Sequence, residues 1–285
     1  MPKLFLMELG VYEGTDLSRF RTFNRAVNFC AVKTPCGAVR ALALAKQKKL
    51  NPFVLGGGSN VFFELKNVRA FVIKNCLEES IEDLGDGRFR VSSSTPMMAL
   101  LRFALTRGLD APYYLASAPC QVGGAIAMNA GSGPKEGLAV FDFVESVEFA
   151  DDTRIISKTK AEISYSYRHT EFLEGAPRFI ISAILRLPQK TYDEDPIRKR
   201  LAWAAEHQDL RTHNCGSLCF KYDARLMKLA RFIFKRMPAG MSQKKLNWAV
   251  NKSDNPLWLK FFILTLKALH KVCLKPLGFE LRIIK

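Results

Sequence analysis

Three short runs of glycine and small polar residues carry most of the chemistry this chain offers. Gly56-Gly57-Gly58-Ser59-Asn60 presents consecutive backbone N–H groups with no side chains in front of them. Such a loop holds a diphosphate without many cations, and Ser59 and Asn60 add a hydroxyl and an amide donor. The same residues also suit a tight turn. Val122-Gly123-Gly124-Ala125, followed by Met128-Asn129-Ala130-Gly131, lets a flat, rigid ligand lie against the backbone. Close packing of two strands is the competing reading. Tyr165-Ser166-Tyr167-Arg168 sets an arginine amid alternating aromatics. In a half-buried strand that cation needs a partner, since leaving it unpaired is costly; on a surface strand it needs none.

The elements that must position these runs read as follows. Residues 35–50 have the alanine and leucine content of a helix, with Lys46, Lys48 and Lys49 in its last turn and Asn51-Pro52 as the stop. Residues 53–55 and 61–63 are short apolar strands, with a further one at 70–73. The glycine loop therefore joins two strands and opens no helix, which argues against a Rossmann or Walker-type site. A strand is expected near 88–92, then a helix with Thr95 as N-cap, Pro96 at its first position and Gly108 at its end. Residues 116–133 are rich in Gly, Ala and Pro and read as mostly turns, and strands follow at 143–149 and 179–187. Beyond Pro196 the texture changes to a charged helix at 197–208, mixed loop and strand at 211–222, and a basic amphipathic helix at 224–236. A last helix spans 257–275 with Lys260, Lys267, Lys271 and Lys275 on one face. A domain boundary falls at 188–196, and the fold class is α+β.

Composition narrows the function. With 285 residues, 48% apolar and 25% charged, the chain is ordinary for a globular protein with ample core. No apolar run approaches the ~18–20 residues of a membrane span, and the N-terminal MPKLFLMELG does not read as a secretory signal. The seven cysteines are scattered, without Cys-x-x-Cys, and only four histidines occur. Neither a disulfide framework nor a metal site is expected, and a reducing cytoplasm fits. The net charge of +16 is uneven: residues 196–285 hold 19 Lys+Arg against 5 Asp+Glu, or +14, leaving +2 for the rest. That asymmetry suits an anionic partner, whether a diphosphate substrate, an acidic lipid surface or nucleic acid. It equally suits a solvated basic face.

Taken in order, Leu55–Asn60, Val122–Ala125 with Met128–Gly131, Tyr167-Arg168, Gly216-Ser217 and Glu280-Leu281-Arg282 resemble the successive signatures of the UDP-N-acetylenolpyruvoylglucosamine reductases. Thr22-Phe23, Ser242–Lys244, Asn247 and Val250-Asn251 echo the same family, so the resemblance runs from about residue 17 to 282. It implies a vanillyl-alcohol-oxidase/PCMH-type FAD-binding region of two α+β subdomains, at 15–188 (about 15–75 and 76–188), and a smaller C-terminal α+β substrate domain at 196–285. It implies FAD held by Gly56, Gly57, Gly58, Ser59, Asn60, Pro119, Val122, Gly123, Gly124 and Asn129. NADPH is the implied hydride donor, and UDP-N-acetylglucosamine enolpyruvate is the implied substrate, reduced to UDP-N-acetylmuramate for peptidoglycan. Arg168, Ser217 and Glu280 are the implied catalytic residues, and Tyr167 and Lys221 the substrate contacts. A cytoplasmic monomer follows, with no nucleic acid, no integral membrane segment and at most weak peripheral membrane contact. Three departures stand out. Cys120 replaces the usual first glycine, the stretch after Ser217 is one residue longer, and Lys245 stands where the family usually has His. They leave as the alternative a catalytically degenerate FAD or nucleotide binder associated with an acidic membrane surface.

Overall fold

The computed structural model describes residues 9–132 and 137–285. The stretch read above for a signal, residues 1–8, and Gly133 of the turn-rich passage lie outside them. The architecture is α+β, and the chain divides into two compact units. One holds Asn28–Gly57 and Ala70–Leu201; the other holds Val11–Val27, Gly58–Arg69 and Ala202–Lys285.

In the first unit, α1 (Pro35–Gln47) makes the crossover between two parallel strands. Thr34 caps it by accepting from the Gly37 N–H, and Ala38, Ala41, Leu42 and Ala45 form its buried stripe at helical spacing. It ends earlier than expected, at Gln47, and Lys49 turns the chain with φ 52. The strand Phe71–Asn75 pairs in parallel with Pro52–Leu55 on one side and with Phe29–Val32 on the other. A second, antiparallel sheet runs in the order Ile155–Thr159, Val144–Ala150, Phe179–Arg186, Arg88–Ser92, Ile81–Asp83. Helices α2 (Met97–Leu105) and α3 (Val122–Ala127) contribute Leu100, Leu101, Ala125 and Ile126 to its core. Thr95 does not cap α2 as expected; Pro96 holds the cap position, and the Thr95 hydroxyl bonds Ser80 instead. The passage expected as turns contains α3, whose two glycines disfavour a helix. Tertiary contacts override that preference, because the Val122 and Gly123 N–H groups donate to Thr95 and Ser93 carbonyls.

Helix α4 (Pro196–His207) follows, its first N–H groups accepted by Asp195. In the second unit the strand Trp248–Asn251 lies between His213–Ser217 and Ala239–Met241. Helix α5 (Ala224–Ile233) is capped by Asp223, and α6 (Pro256–Val272) by Asn255. Their buried Met227, Ala230, Leu259, Phe262, Ile263 and Leu266 form the core with Phe20 and Phe62. Both helices stop short of the expected ends at Arg236 and Lys275. The unit differs from the contiguous 196–285 read from sequence because earlier segments pack into it. Arg282–Ile284 pairs in parallel with Val61–Phe63, the Phe23 N–H donates to the Asp254 carbonyl, and the buried Asn251 amide donates to the Phe20 carbonyl.

Candidate functional site

Each unit gathers its own set of the expected residues: Gly56, Gly57, Pro119, Val122, Gly123, Gly124, Asn129, Tyr167 and Arg168 in the first, and Gly58, Ser59, Asn60, Ser217, Lys221 and Glu280 in the second. The glycine loop leaves the strand Pro52–Leu55 with the Gly56 carbonyl taken by the Lys74 ammonium. A Cβ on Gly57 would sit 3.1 Å from the Pro119 carbonyl oxygen and 3.5 Å from the Gln121 nitrogen. Close approach to residues 119–121, and not a left-handed backbone, is what asks for glycine there. Gly58 is different. Its φ is +68, and a Cβ would lie 2.4 Å from the Leu17 carbonyl oxygen, so the tight-turn reading holds for this residue.

The second glycine pair splits the same way. A Cβ on Gly123 would meet the Ser93 Cβ at 2.7 Å, so this glycine serves packing, against a strand end and not a second strand of the run. Gly124 faces open space, with no atom within 4 Å of where its Cβ would be. Among the buried polar atoms of this unit without a hydrogen-bond partner among the described residues are the Gln121 Oε1 and the Tyr114 hydroxyl. Burial is the main reason the Tyr114 phenol is pushed up, with Asp142 adding to it and Arg168 opposing it. Burial also pushes the Cys120 thiol up to about 12, again against the pull of Arg168. Cys120 is therefore a neutral thiol, and Arg168 is the cation of this neighbourhood. Nothing in the spacing of Tyr114 or Gln121 singled them out; their signal is burial without a partner.

Arg168 is not on a strand. Tyr167-Arg168 forms the two-residue turn of a small hairpin pairing Tyr165–Ser166 with His169–Thr170, and Arg168 has φ 59. The aromatic alternation suggested a strand, but the chain reverses here, with positive φ at the second of the two turn residues and not the first. Arg168 Nη2 donates to the Gly131 carbonyl at 3.0 Å, while the buried Asn129, itself at φ 41, donates from Nδ2 to the Ser166 carbonyl at 2.9 Å. Thr170 Oγ1 reaches the Ala127 carbonyl at 2.7 Å. Three side chains thus lock the hairpin to α3 and the turn after it, and the strained left-handed residues are held by their surroundings. Tyr167 is half exposed at the tip.

In the second unit Ser217 ends the strand His213–Ser217, directly after Gly216 at φ +74. A bulge between Asn214 and Ser217 sets two residues against one of the partner strand. Leu218 follows, and its carbonyl accepts from the Glu280 N–H at 2.9 Å, while the Glu280 carbonyl accepts from Asn60 Nδ2 at 2.9 Å. The Glu280 carboxylate lies close enough to Cys219 to add to the burial that raises that thiol to about 12. In the lengthened stretch after Ser217, Cys219 pairs with Phe279 and Lys221 with Gly278, so Phe220 is a bulge whose ring covers Gly278. Lys221 is exposed. Lys245 lies against two indoles, 5.6 Å from the Trp203 ring centre and 5.4 Å from that of Trp248.

Residues 28–156 match the family described as "FAD binding domain". The UDP-N-acetylenolpyruvoylglucosamine reductase of Pelobacter propionicus is 31% identical over 158 residues, 55% of this chain and 52% of that protein. The one from Myxococcus xanthus is 28% identical over 77% of this chain and 73% of its own. The chain thus spans about half the length of the first of these relatives. Among solved structures, the UDP-N-acetylenolpyruvylglucosamine reductase of Thermus caldophilus aligns with a TM-score of 0.76 at 20% identity, over 98% of this chain and 100% of that one, which establishes a shared fold.

Proposed function

We propose that this chain, a divergent relative of the UDP-N-acetylenolpyruvoylglucosamine reductases, is an FAD-dependent, NADPH-consuming reductase of UDP-N-acetylglucosamine enolpyruvate, acting in the cytoplasm on the route to peptidoglycan. The observation that carries the reading is the cradle of the first unit. Gly57 is pressed against residues 119–121, Gly124 looks onto open space, and the buried Gln121 Oε1 has no partner among the described residues. A flat ligand with donor groups fits there, and the flavin is one. Gly56, Gly57, Pro119, Val122, Gly123, Gly124 and Asn129 would hold it, with Gly58, Ser59 and Asn60 completing the loop. When bound, a flavin would supply the hydride for the terminal carbon of the enolpyruvyl double bond.

The chain's own residues manage the charge and the proton. Negative charge builds toward the substrate carboxylate as the double bond is reduced, and the Arg168 guanidinium stabilises it. The rigid hairpin keeps that group from relaxing away. Ser217 Oγ gives its proton to the α-carbon, so the substrate gains one hydride and one proton and nothing leaves. The resemblance gives Glu280, carried on the segment bonded to Leu218, the role of polarising the substrate carboxylate. Tyr167 and Lys221 are the UDP-sugar contacts that the resemblance implies.

The test is steady-state: NADPH oxidation should require both FAD and the enolpyruvyl UDP-sugar. Protein that binds FAD but consumes no NADPH with that substrate would overturn the reading in favour of a degenerate flavin binder.

A further inference from the structure

Helix α6 is apolar on two opposite faces, and the reductase reading uses only one of them. At about 100° per residue, Leu259, Phe262, Ile263, Leu266 and His270 share one side of the helix, and all five are buried. Leu257, Phe261, Leu264, Ala268 and Val272 fall on the opposite side within an arc of about 80°. They are exposed, Leu257 at 60%, Phe261 at 53%, Leu264 at 49% and Val272 at 81%. A helix with a second apolar face normally buries it.

Cations border this stripe. Lys260, Lys267 and Lys271 run along one edge at helical spacing, and α6 contains no acidic residue. Lys267, Lys271 and Lys275 line a shallow, open depression together with His270, Leu277 and Phe279. Helix α5 packs beside α6 and repeats the pattern. Phe232, 77% exposed, shares a face of α5 with Arg225 and Lys228, with Leu229 and Ile233 next to it. From Ala224 to Ser253 the sequence holds eight Lys+Arg and no Asp or Glu. The buried Phe234, which caps α5, sets its ring 5.5 Å from that of Phe261 at a tilt of 51°, so the two helices meet beneath the exposed faces.

We propose that the outward faces of α5 and α6 form a docking surface for an anionic phospholipid bilayer, lying in its interface. Large aliphatic and aromatic side chains flanked by lysines match a surface whose headgroups are negative and whose next layer is apolar. A nucleic acid would engage the cations and leave Leu257, Leu264 and Val272 in water. Among the described residues no helix is long and apolar enough to cross a membrane, so the chain lies on the surface and does not span it. Neither the cradle nor Arg168, Ser217 or Glu280 belongs to this surface.

The experiment is cosedimentation of the full chain with vesicles of phosphatidylcholine alone or mixed with phosphatidylglycerol. The protein should pellet with the mixed vesicles at low salt, and remain in solution with phosphatidylcholine alone and at high salt. Lys260→Gln/Lys267→Gln/Lys271→Gln should weaken binding about fivefold per lysine, or roughly a hundredfold together. Leu257→Gln/Leu264→Gln/Val272→Gln should weaken it by about tenfold per side chain or more. These positions are exposed, so both variants should unfold at the wild-type temperature; if either fails to fold, the headgroup and salt dependence of the wild type decides. Three results overturn the proposal: wild type that ignores the anionic vesicles, folded variants that bind as well as wild type, or a dimer in solution that the glutamine variant at 257, 264 and 272 dissociates, which would mean a second copy covers the stripe.

Discussion

Asn129→Ala probes the lock that holds the Arg168 turn. The wild-type side chain is buried, donates from Nδ2 to the Ser166 carbonyl at 2.9 Å, and accepts from the Phe141 N–H at 3.3 Å. Alanine leaves both partners unsatisfied, at about 1–3 kcal/mol each. It also keeps a Cβ in the left-handed backbone at φ 41 without the local hydrogen bonding that lets asparagine tolerate it, a further ~1 kcal/mol. The sum is about 3–7 kcal/mol. At roughly 2–4 °C per kcal/mol for a unit of this size, the melting transition should fall by about 6 °C or more. Asn129→Gly loses the same two hydrogen bonds and avoids the backbone penalty. It should therefore melt a few degrees above the alanine variant. Near-ultraviolet circular dichroism during a thermal ramp measures both. If alanine melts with wild type, or glycine is the worse of the two, the hairpin is not held as described.

Other perturbations test other parts. Gly57→Val pushes a branched side chain toward the Pro119 carbonyl, already 3.1 Å from the Cβ position. Overpacking of this kind costs about 1–3 kcal/mol, so the loop should part from residues 119–121 and the purified protein should lose its visible flavin absorbance. Ser217→Ala should leave flavin reduction by NADPH intact and slow reoxidation by substrate about 10²–10⁴-fold, which stopped-flow absorbance resolves. The Leu226 and Arg225 N–H groups hold the Asp223 carboxyl below its ordinary value of 3.8. The cap's contribution is thus fully present above that value and is lost as pH falls through the lower folded one. Asp223→Asn keeps cap hydrogen bonds and should flatten the acid limb of a helix-content titration.

Local chemistry was legible where it was self-contained. The alanine-rich helix from Pro35 and the placement of the glycine loop between two strands followed from composition and punctuation alone. What depended on distant partners was not. No local pattern announces that residues 61–63 pair with 282–284, so the second unit read as contiguous. Helix α3 forms against the preference of its glycines because Thr95 and Ser93 offer acceptors. Arg168 read as a strand residue since a non-glycine at positive φ leaves no compositional trace. The residue that lengthens the Ser217 segment was visible, but only the strand pairing reveals that Phe220 bulges out. The four lysines of the last helix do not all lie on it, because Val272 is its last residue and Leu274 turns the chain at φ 51.

The most direct test of the central claim is a rapid-mixing experiment on the flavin-loaded wild type. The protein is first reduced by NADPH without oxygen and then mixed with UDP-N-acetylglucosamine enolpyruvate. The account predicts that oxidised flavin absorbance returns in a single turnover, with one UDP-N-acetylmuramate formed per flavin. Reduced flavin that persists in the presence of the enolpyruvyl sugar, in protein that NADPH reduces normally, would contradict it.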